Sequence, residues 1–278
     1  MTDREGGFAR RRMMLDYSTF LIDLDGVVFR GNQLCPGARE FVQWLDSKGK
    51  KYLFLTNGSA ASQAQVSDKL TRLGIATDCD QVLGAGEAAV RNIARRFPGG
   101  RVYLVGELAM QELLLQHGLS LVNESSQSAD VVLCCLDRAF DYAKLTGAVQ
   151  ALRGGAAFIA ANRDALLPVD GSFLPGCGAL VSAIEASSGI APEVIGKPQT
   201  TLFLEAIRKL RSTPQDTVMI GDNLEIDVLG GKRAGAQTIL LLSGVSKFSD
   251  LANAIVTPDH VYQNLATLLA HLGAVGSE

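Results

Sequence analysis

Short apolar runs alternate with longer stretches of helical periodicity in the first and last parts of the chain. The runs predict buried strands over residues 19–24, 52–55, 81–83, 194–195, 217–220 and 237–242. The stretches between them carry apolar side chains three and four residues apart, as amphipathic helices do. Predicted helices cover residues 36–49, 62–73, 200–210 and 227–234. This alternation is typical of a parallel sheet with helices on both faces, so a doubly wound α/β core is expected.

A second α/β stretch separates these two parts. Its predicted strands cover residues 102–105, 131–136 and 158–160. Because the chemistry-bearing strands lie on both sides of it, we interpret it as an inserted domain. The predicted organisation is a flexible N-terminal extension of residues 1–15, a core of residues 16–86 and 189–278, and an insertion of residues 87–188.

Polar side chains follow several predicted strands of the core. They are Asp23, Asp25, Thr56, Lys197 and Asp222. In a doubly wound sheet, ligands bind beyond the carboxyl ends of the strands. We therefore expect these five groups, which come from distant parts of the sequence, to converge on one site.

Two carboxylates stand where the first strand ends, in Asp23-Leu24-Asp25-Gly26. One can act as a nucleophile and the other as a general acid and base. The segment also has the composition of an ordinary turn, because Asp and Gly both favour turns. Taken alone, it leaves both interpretations open.

The other strand ends carry weaker signals. Thr56-Asn57 and Lys197 suit the oxygens of a phosphoryl group, but taken alone they are better explained as a helix N-cap and a surface lysine. Asp222 and Asp227 form an oxygen-rich pair suited to Mg²⁺. Acidic residues at the start of a helix are also stabilised by the helix dipole without any ion.

Together and in this order, the motifs resemble those of the haloacid dehalogenase (HAD) superfamily, in its NagD-like branch of sugar and nucleotide phosphatases. The matching segments are Asp23-x-Asp25-Gly26-Val27, Thr56-Asn57, Lys197-Pro198, Gly221-Asp222-(x)4-Asp227 and, typical of the branch, Pro175-Gly176-Cys177-Gly178-Ala179-Leu180. The resemblance covers about residues 17 to 265. It implies a Rossmann-like core with an α/β cap domain inserted between the second and third motifs, as in subclass IIA.

The resemblance also implies a function and a role for each motif residue. The activity is a magnesium-dependent phosphatase of small monoesters that forms an aspartyl-phosphate on Asp23, with Asp25 as the acid and base. Metal binding is implied for Asp23, Asp25, Asp222 and Asp227. Binding of the phosphoryl group or substrate is implied for Thr56, Asn57, Lys197 and Asn223.

One loop of the implied cap departs from the family pattern. The family sequence Ala-Thr-Asn-Pro-Asp is replaced by Ala160-Ala161-Asn162-Arg163-Asp164. Asn162, Arg163 and Asp164 are therefore candidates for selecting the leaving group, and Arg163 could pair with a second anion or stack on a base. The alternative is that Arg163 is a solvated surface residue.

Composition restricts the partners. The 26 Lys and Arg residues and 29 Asp and Glu residues give a net charge of −3, which favours neither nucleic acid nor an anionic membrane as a partner. No apolar run reaches the roughly 18–20 residues of a membrane helix. A small phosphorylated metabolite is the expected partner, and a homo-oligomer formed through the cap is possible by resemblance.

The five cysteines form no C-x-x-C pair, so neither a disulfide framework nor a zinc site is expected. This favours a cytoplasmic location. Cys134 and Cys135, inside an apolar run, are expected to pack in the core. Cys177 lies in a glycine-rich turn and is also interpreted as a packing residue.

Three alternatives compete with the phosphatase. Gly84-Ala85-Gly86, followed by Glu107, resembles the dinucleotide fingerprint of a nicotinamide-dependent oxidoreductase. A catalytically inactive binding protein on the same fold is disfavoured by the intact motif residues. A haloacid dehalogenase proper is disfavoured because Asp25 supplies the acid that ester cleavage needs.

Overall fold

A computed structural model describes residues 14–59, 62–122, 128–169 and 172–275. Nearly all of the predicted extension over residues 1–15 therefore lies outside the described residues. Within them, the α-helices are α1 (Ala38–Ser47), α2 (Gln63–Arg72), α3 (Ala85–Arg96), α4 (Leu108–Gln116), α5 (Tyr142–Arg153), α6 (Cys177–Ser188), α7 (Thr200–Lys209), α8 (Leu229–Arg233) and α9 (Leu265–Val275). A π-helical segment, Leu224–Val228, precedes α8.

The strands of the same ranges form two large sheets and two short hairpins. They are β1 (Thr19–Asp23), β2 (Phe29–Arg30), β3 (Gln33–Leu34), β4 (Lys51–Thr56), β5 (Val82–Gly84), β6 (Arg101–Val105), β7 (Ser120–Val122), β8 (Val131–Cys134), β9 (Ala157–Ala160), β10 (Leu166–Val169), β11 (Ser172–Pro175), β12 (Glu193–Val194), β13 (Thr217–Gly221), β14 (Gln237–Leu241) and β15 (His260–Tyr262).

The core sheet has the strand order β15-β14-β13-β1-β4-β5, and every pairing within it is parallel. Strand β1 lies inside the sheet and is buried throughout. Phe20 and Ile22 pack into the apolar cluster on one face, and Leu21 packs into the cluster on the other. This alternation follows from the two-residue period of a strand. The predicted doubly wound core is confirmed.

The inserted stretch forms a second parallel sheet, in the order β12-β9-β8-β6-β7. Strand β12 differs from the sequence prediction, which grouped residues 194–195 with the core strands. Glu193 and Val194 instead pair with Ile159 and Ala160 of β9. A two-residue apolar run does not specify which sheet will take it, because both sheets offer a parallel edge. The exact domain limits at residues 87 and 188 stay a prediction.

One apolar cluster joins the two sheets. It includes Leu21 of β1, Val131 of β8 and Phe203 of α7, each fully buried. Cap and core therefore share hydrophobic contacts, and these fix the loops of the second sheet over the carboxyl edge of the first.

Some elements lie outside the predicted set. Helix α9 packs against α1 where Gly37, at φ 82°, brings its backbone against Ala266. An antiparallel hairpin of β10 and β11 forms a separate two-stranded sheet. Its side chains Leu166 and Phe173 are 57% and 65% exposed.

Candidate active site

The predicted polar groups do meet at the carboxyl edge of the core sheet. Asp23 is the last residue of β1, Thr56 the last of β4, and Asp222 follows β13. Lys197 approaches from the segment after β12, which belongs to the second sheet rather than to the core sheet. These residues line a cavity of about 390 Å³ between the two sheets.

The cavity has two chemically different sides. The core wall consists of Asp23, Lys197, Asp222 and Asp227, all of them buried. The cap wall consists of Leu136, Asn162, Asp164, Leu166, Leu167 and Cys177.

Lys197 holds the centre of the core wall. Its ammonium donates to Asp23 Oδ1 at 2.5 Å and to Asp227 Oδ1 at 2.7 Å. Burial alone would lower the pKa of Lys197, but the carboxylates of Asp227 and Asp23 outweigh burial and raise it. The lysine is therefore a permanent cation, and it is 5% exposed.

Three carboxylates surround a point beside this lysine. Asp23, Asp222 and Asp227 each offer an oxygen, and these oxygens lie within 4.8 Å of one another. Burial raises the pKa of Asp23 well above its ordinary value, and burial with the charge of Asp227 raises the pKa of Asp222 to about 6. Three buried carboxylates and one lysine leave negative charge uncompensated, so the donor set fits a hard divalent cation.

Close backbone packing fixes Asp222. Its Oδ2 accepts the Val245 N–H at 2.7 Å. The carboxylate also lies against two glycines: a Cβ on Gly244 would be 1.6 Å from Oδ2, and one on Gly26, at φ 81°, would be 2.3 Å from it. Larger residues at these two positions would displace the carboxylate.

The π-helical segment positions Asp227. Its N-cap residue is Asn223, whose Oδ1 accepts the N–H groups of Glu225 at 3.0 Å and Ile226 at 3.3 Å. Asp227 then packs over Gly221, where a Cβ would lie 2.1 Å from Asp227 Cβ. Asn223 lines the cavity, but its side-chain oxygen is occupied by this helix start.

Asp25 lies at the exposed mouth of the cavity. The turn that carries it is closed by the Gly26 N–H, which donates to the Phe29 carbonyl at 2.8 Å. Desolvation by the surrounding protein raises the pKa of the Asp25 carboxyl, against the lowering effect of Lys69 and Lys197. A raised pKa favours a group that must hold and release a proton.

Asn57 links the core to the cap. Its Oδ1 accepts the Lys197 N–H at 2.8 Å, and its Nδ2 donates to the Lys197 carbonyl at 3.1 Å. Its own carbonyl accepts from Asn162 Nδ2 at 2.6 Å, and its Nδ2 also reaches Asp164 at 3.3 Å. The Asn57 side chain therefore positions the backbone of Lys197. Beside it, the Thr56 hydroxyl accepts the Gly58 N–H at 3.0 Å.

The three candidate residues of the cap loop differ in whether they line the cavity. Asn162 and Asp164 line the cavity. The Arg163 guanidinium instead pairs with Glu185 of α6 at 2.7 Å and is 45% exposed. The lining leucines Leu136, Leu166 and Leu167 were absent from the sequence-based site, since an apolar side chain shows its place in a strand but not which cavity it lines.

The glycines of the dinucleotide-like segment have a packing role. A Cβ on Gly84 would lie 2.8 Å from the Gly58 carbonyl oxygen, and one on Gly86 would lie 2.7 Å from Met110 Sδ. Glu87 is buried and pairs with Arg91 at 2.6 Å. The small residues thus allow α3 to pack closely against the loop after β4 and against α4.

Comparisons with known proteins agree with this geometry. The model of the haloacid dehalogenase-like hydrolases matches residues 20–120, and a HAD-hydrolase-like model matches residues 194–268. A 5′-nucleotidase of Bacillus subtilis, YutF, is 34% identical over 259 residues, which cover 93% of this chain and 100% of that protein. NagD of E. coli K-12 is similar in structure, with a TM-score of 0.85 and 31% identity over 90% of this chain and 97% of that one.

A glycerol phosphate phosphatase of Mycobacterium tuberculosis, solved in complex with calcium, has a TM-score of 0.84 and 32% identity over 91% of this chain and 74% of that one. The fold, the site and these relatives define a hydrolase that acts on phosphoric monoesters. The chain belongs to the haloacid dehalogenase-like hydrolases, in their NagD-like branch. Across the described ranges, no helix combines the length and the apolar character needed to cross a membrane.

Proposed function

We propose that the protein is a magnesium-dependent phosphatase of small phosphate monoesters with uncharged leaving groups, and that it forms an aspartyl-phosphate on Asp23. The observation that carries the proposal is the buried core wall, where Lys197 and three carboxylates line one side of a cavity of about 390 Å³. A nucleophile, a cation and a metal-binding donor set are thereby brought to one point.

The donor set supports Mg²⁺ as the metal. Carboxylate oxygens of Asp23, Asp222 and Asp227 would hold it, with the Asp25 backbone carbonyl as a further ligand by family resemblance. When bound, the ion would polarise the phosphoryl oxygens and offset the negative charge of the cluster.

In the first step, an Asp23 carboxylate oxygen attacks phosphorus in line with the ester oxygen. The new O–P bond forms as the P–O bond to the leaving group breaks, and Asp25 transfers its proton to the departing alkoxide. Lys197 stabilises the charge on the phosphoryl oxygens, as preorganised cations do in phosphoryl transfer.

In the second step, Asp25 takes a proton from a water molecule, which attacks the phosphorus of the aspartyl-phosphate. Inorganic phosphate leaves and the Asp23 carboxylate is restored. The exposed position of Asp25 at the cavity mouth suits this role, because the group must exchange protons with the leaving alcohol and with water.

The leaving group meets the cap wall. Of the described residues that line the cavity, Lys197 is the only cation, and two carboxylates already hold it. Beyond it stand the Asp164 carboxyl, the Asn162 amide and three leucines. A second anionic group on the substrate would face a carboxyl and apolar side chains, whereas a nucleoside or a polyol would find hydrogen-bond partners and apolar surface.

Trapping the intermediate tests the mechanism. In an Asp25→Asn variant given p-nitrophenyl phosphate and Mg²⁺, the phosphorylated enzyme should accumulate, because water is no longer activated. Peptide mapping should place the phosphoryl group on Asp23, and the double variant with Asp23→Asn should carry none. A phosphorylated peptide from any other segment would refute the assignment.

Matched substrates test the leaving group. Glycerol 3-phosphate and 3-phosphoglycerate differ by one alcohol replaced with a carboxylate. We expect kcat/KM to be roughly ten-fold or more higher for glycerol 3-phosphate, about 1.4 kcal/mol of transition-state binding. Equal values for the pair would refute the preference for uncharged leaving groups and leave the phosphatase proposal intact.

Two further proposals concern the cellular location and the oligomeric state of the enzyme. The five cysteines are free, which supports a cytoplasmic location. The exposed apolar side chains of the β10–β11 hairpin support association of two copies through the cap. Sedimentation analysis of the wild type and of Phe173→Ser tests the second proposal, since loss of a dimer is expected only in the variant.

A further inference from the structure

Cys177 is a cavity-lining group that has no part in the mechanism above. It is the first residue of α6, is 3% exposed, and lines the cavity on the cap wall. Its thiol donates to the Cys134 carbonyl oxygen, with 3.6 Å between the sulfur and that oxygen. It also makes hydrogen bonds with the Cys134 thiol, the Asn162 backbone N–H and the Ser59 hydroxyl.

The surroundings of Cys177 favour its thiolate. The hydrogen bond from Cys134 lowers the pKa of Cys177, with further help from the Asn162 N–H and Ser59, and these effects exceed the opposing effect of burial. The twelve-residue helix α6 also presents the positive end of its dipole to this position. A thiolate is the form of cysteine that reacts with electrophiles and oxidants.

The two cysteines next to it differ from Cys177. Cys134 and Cys135 are fully buried, lie outside the cavity lining, and have pKa values raised well above the ordinary value. The hydrogen bond that Cys134 donates to Cys177 contributes most to the rise at Cys134, and burial contributes most at Cys135. A reagent in the cavity would therefore meet Cys177 first, with the Cys134 thiol in contact behind it.

We propose that Cys177 is an oxidative modification site of the active-site cavity, and that Cys134 is its resolving thiol. A small hydroperoxide is the oxidant: the Cys177 sulfur takes its terminal oxygen, the O–O bond breaks, and water or an alcohol leaves, giving a sulfenic acid. The Cys134 sulfur then attacks the sulfenic sulfur and releases water, leaving a Cys134–Cys177 disulfide.

This modification would act on Lys197 of the core wall through a chain of hydrogen bonds. The Cys177 sulfur accepts the Asn162 N–H, and the Asn162 side chain holds the Asn57 carbonyl. Asn57 in turn holds both backbone polar groups of Lys197. Closing a disulfide draws the Cys177 sulfur, the acceptor of the first of these bonds, towards Cys134, so we expect the loop that positions Lys197 to shift and activity to fall.

The test treats the magnesium-loaded wild-type protein with hydrogen peroxide and then measures p-nitrophenyl phosphate turnover and maps the peptides without reduction. The expected result is a roughly ten-fold or greater loss of activity, recovery with dithiothreitol, and a linked peptide pair containing Cys134 and Cys177. The activity readout rests on the proposed function, but the peptide map does not. A free Cys177 thiol after treatment, or a disulfide between another pair, would overturn the proposal whatever the activity.

Variants separate the two roles. The activity of the Cys177→Ser variant should be the same before and after peroxide treatment. The Cys134→Ser variant should still be inactivated but should not recover with dithiothreitol. Its Cys177 sulfenic acid lacks a resolving thiol and is oxidised further to the irreversible sulfinic acid. Cys79→Ser, which removes an exposed cysteine, is the matched control and should behave as the wild type. If Cys177→Ser does not fold, the wild-type peptide map still decides.

Discussion

The core wall and the cap wall of the cavity are built from different chemistry. Each group of the core wall is buried and ion-paired or held by backbone N–H groups, and close glycine packing leaves little freedom to Asp222 and Asp227. The cap wall combines an amide, a carboxyl and leucines, and its hairpin is partly exposed. The difference teaches that groups which handle the phosphoryl moiety are fixed by the fold, whereas Asn162 and Asp164, which face the leaving group, sit on a loop whose side chains can vary.

The largest expected effect comes from the nucleophile. Asp23→Asn should lower kcat by roughly 10⁴-fold or more for every substrate, because an amide is a poor nucleophile while its shape is nearly unchanged. The raised pKa of Asp23 means that its ionised form costs folding free energy, so the metal-free variant should unfold at or above the wild-type temperature. Turnover above a few per cent of wild type would refute the covalent role.

Metal removal should have the next largest effect on turnover. Chelation with EDTA and dialysis should abolish turnover, and Mg²⁺ should restore it, because the cluster of Asp23, Asp222 and Asp227 loses its counter-charge. Undiminished activity in metal-free buffer would contradict the proposal.

The same cluster predicts a pH dependence of stability. The folded-state pKa of Asp222, about 6, lies above its ordinary value of 3.8, so the metal-free protein should lose stability as pH rises through this window. Added Mg²⁺ should raise the melting temperature more at pH 7.5 than at pH 5. Equal shifts at the two pH values would argue against metal binding by these carboxylates.

Lys197→Ala should affect all substrates alike. The Lys197 ammonium binds only core-wall carboxylates, and its phosphoryl contact would be common to every monoester, so kcat/KM should fall by a similar factor, roughly 100-fold or more, across a panel. A reordering of the panel would mean that the division between the two walls is wrong. The melting temperature checks the fold, because the variant leaves Asp23 and Asp227 without their cation.

The smallest expected effects belong to the cap loop. Asp164→Asn should favour 3-phosphoglycerate by roughly five- to ten-fold relative to glycerol 3-phosphate, because it removes a carboxyl from the leaving-group side. Arg163→Ala is the matched control from the next position, and it should change each substrate by less than about two-fold, since its guanidinium pairs with Glu185 outside the cavity. A larger selective effect of Arg163→Ala would restore this residue to the role expected from the sequence.

Two groups of the core wall could be predicted from the sequence because they stand at the ends of strongly apolar strands. Asp23 and Asp222 end or follow strands buried along their whole length, and parallel topology brings such ends together without further information. The direction of the Arg163 side chain was not readable, since it depends on Glu185, twenty-two residues away in sequence. The wide turn that positions Asp227 also carries no signal in hydrophobic spacing, because it is a π-helical segment of only five residues.

The leucines of the cap wall and the contact between Cys134 and Cys177 were unpredictable for a related reason. Leu166 and Leu167 lie in a strand pair exposed on its surface, where alternation of apolar and polar residues is lost. Cys134 and Cys177 are forty-three residues apart and meet only because β8 ends beside the start of α6. Contacts of this kind arise from tertiary packing, not from local pattern.

Asn57 has a consequence for engineering and for divergence within the family. The Asn57 side chain hydrogen-bonds to the Lys197 backbone at the core wall and to the Asp164 carboxyl at the cap wall. The Asn57 backbone carbonyl accepts a hydrogen bond from the Asn162 side chain. A graft that exchanges the inserted domain for that of a relative must therefore carry a compatible partner at each of these positions, or the junction will misplace the lysine. The hydrogen bonds of Asn57 therefore limit how freely one cap domain can be replaced by another to change substrate specificity.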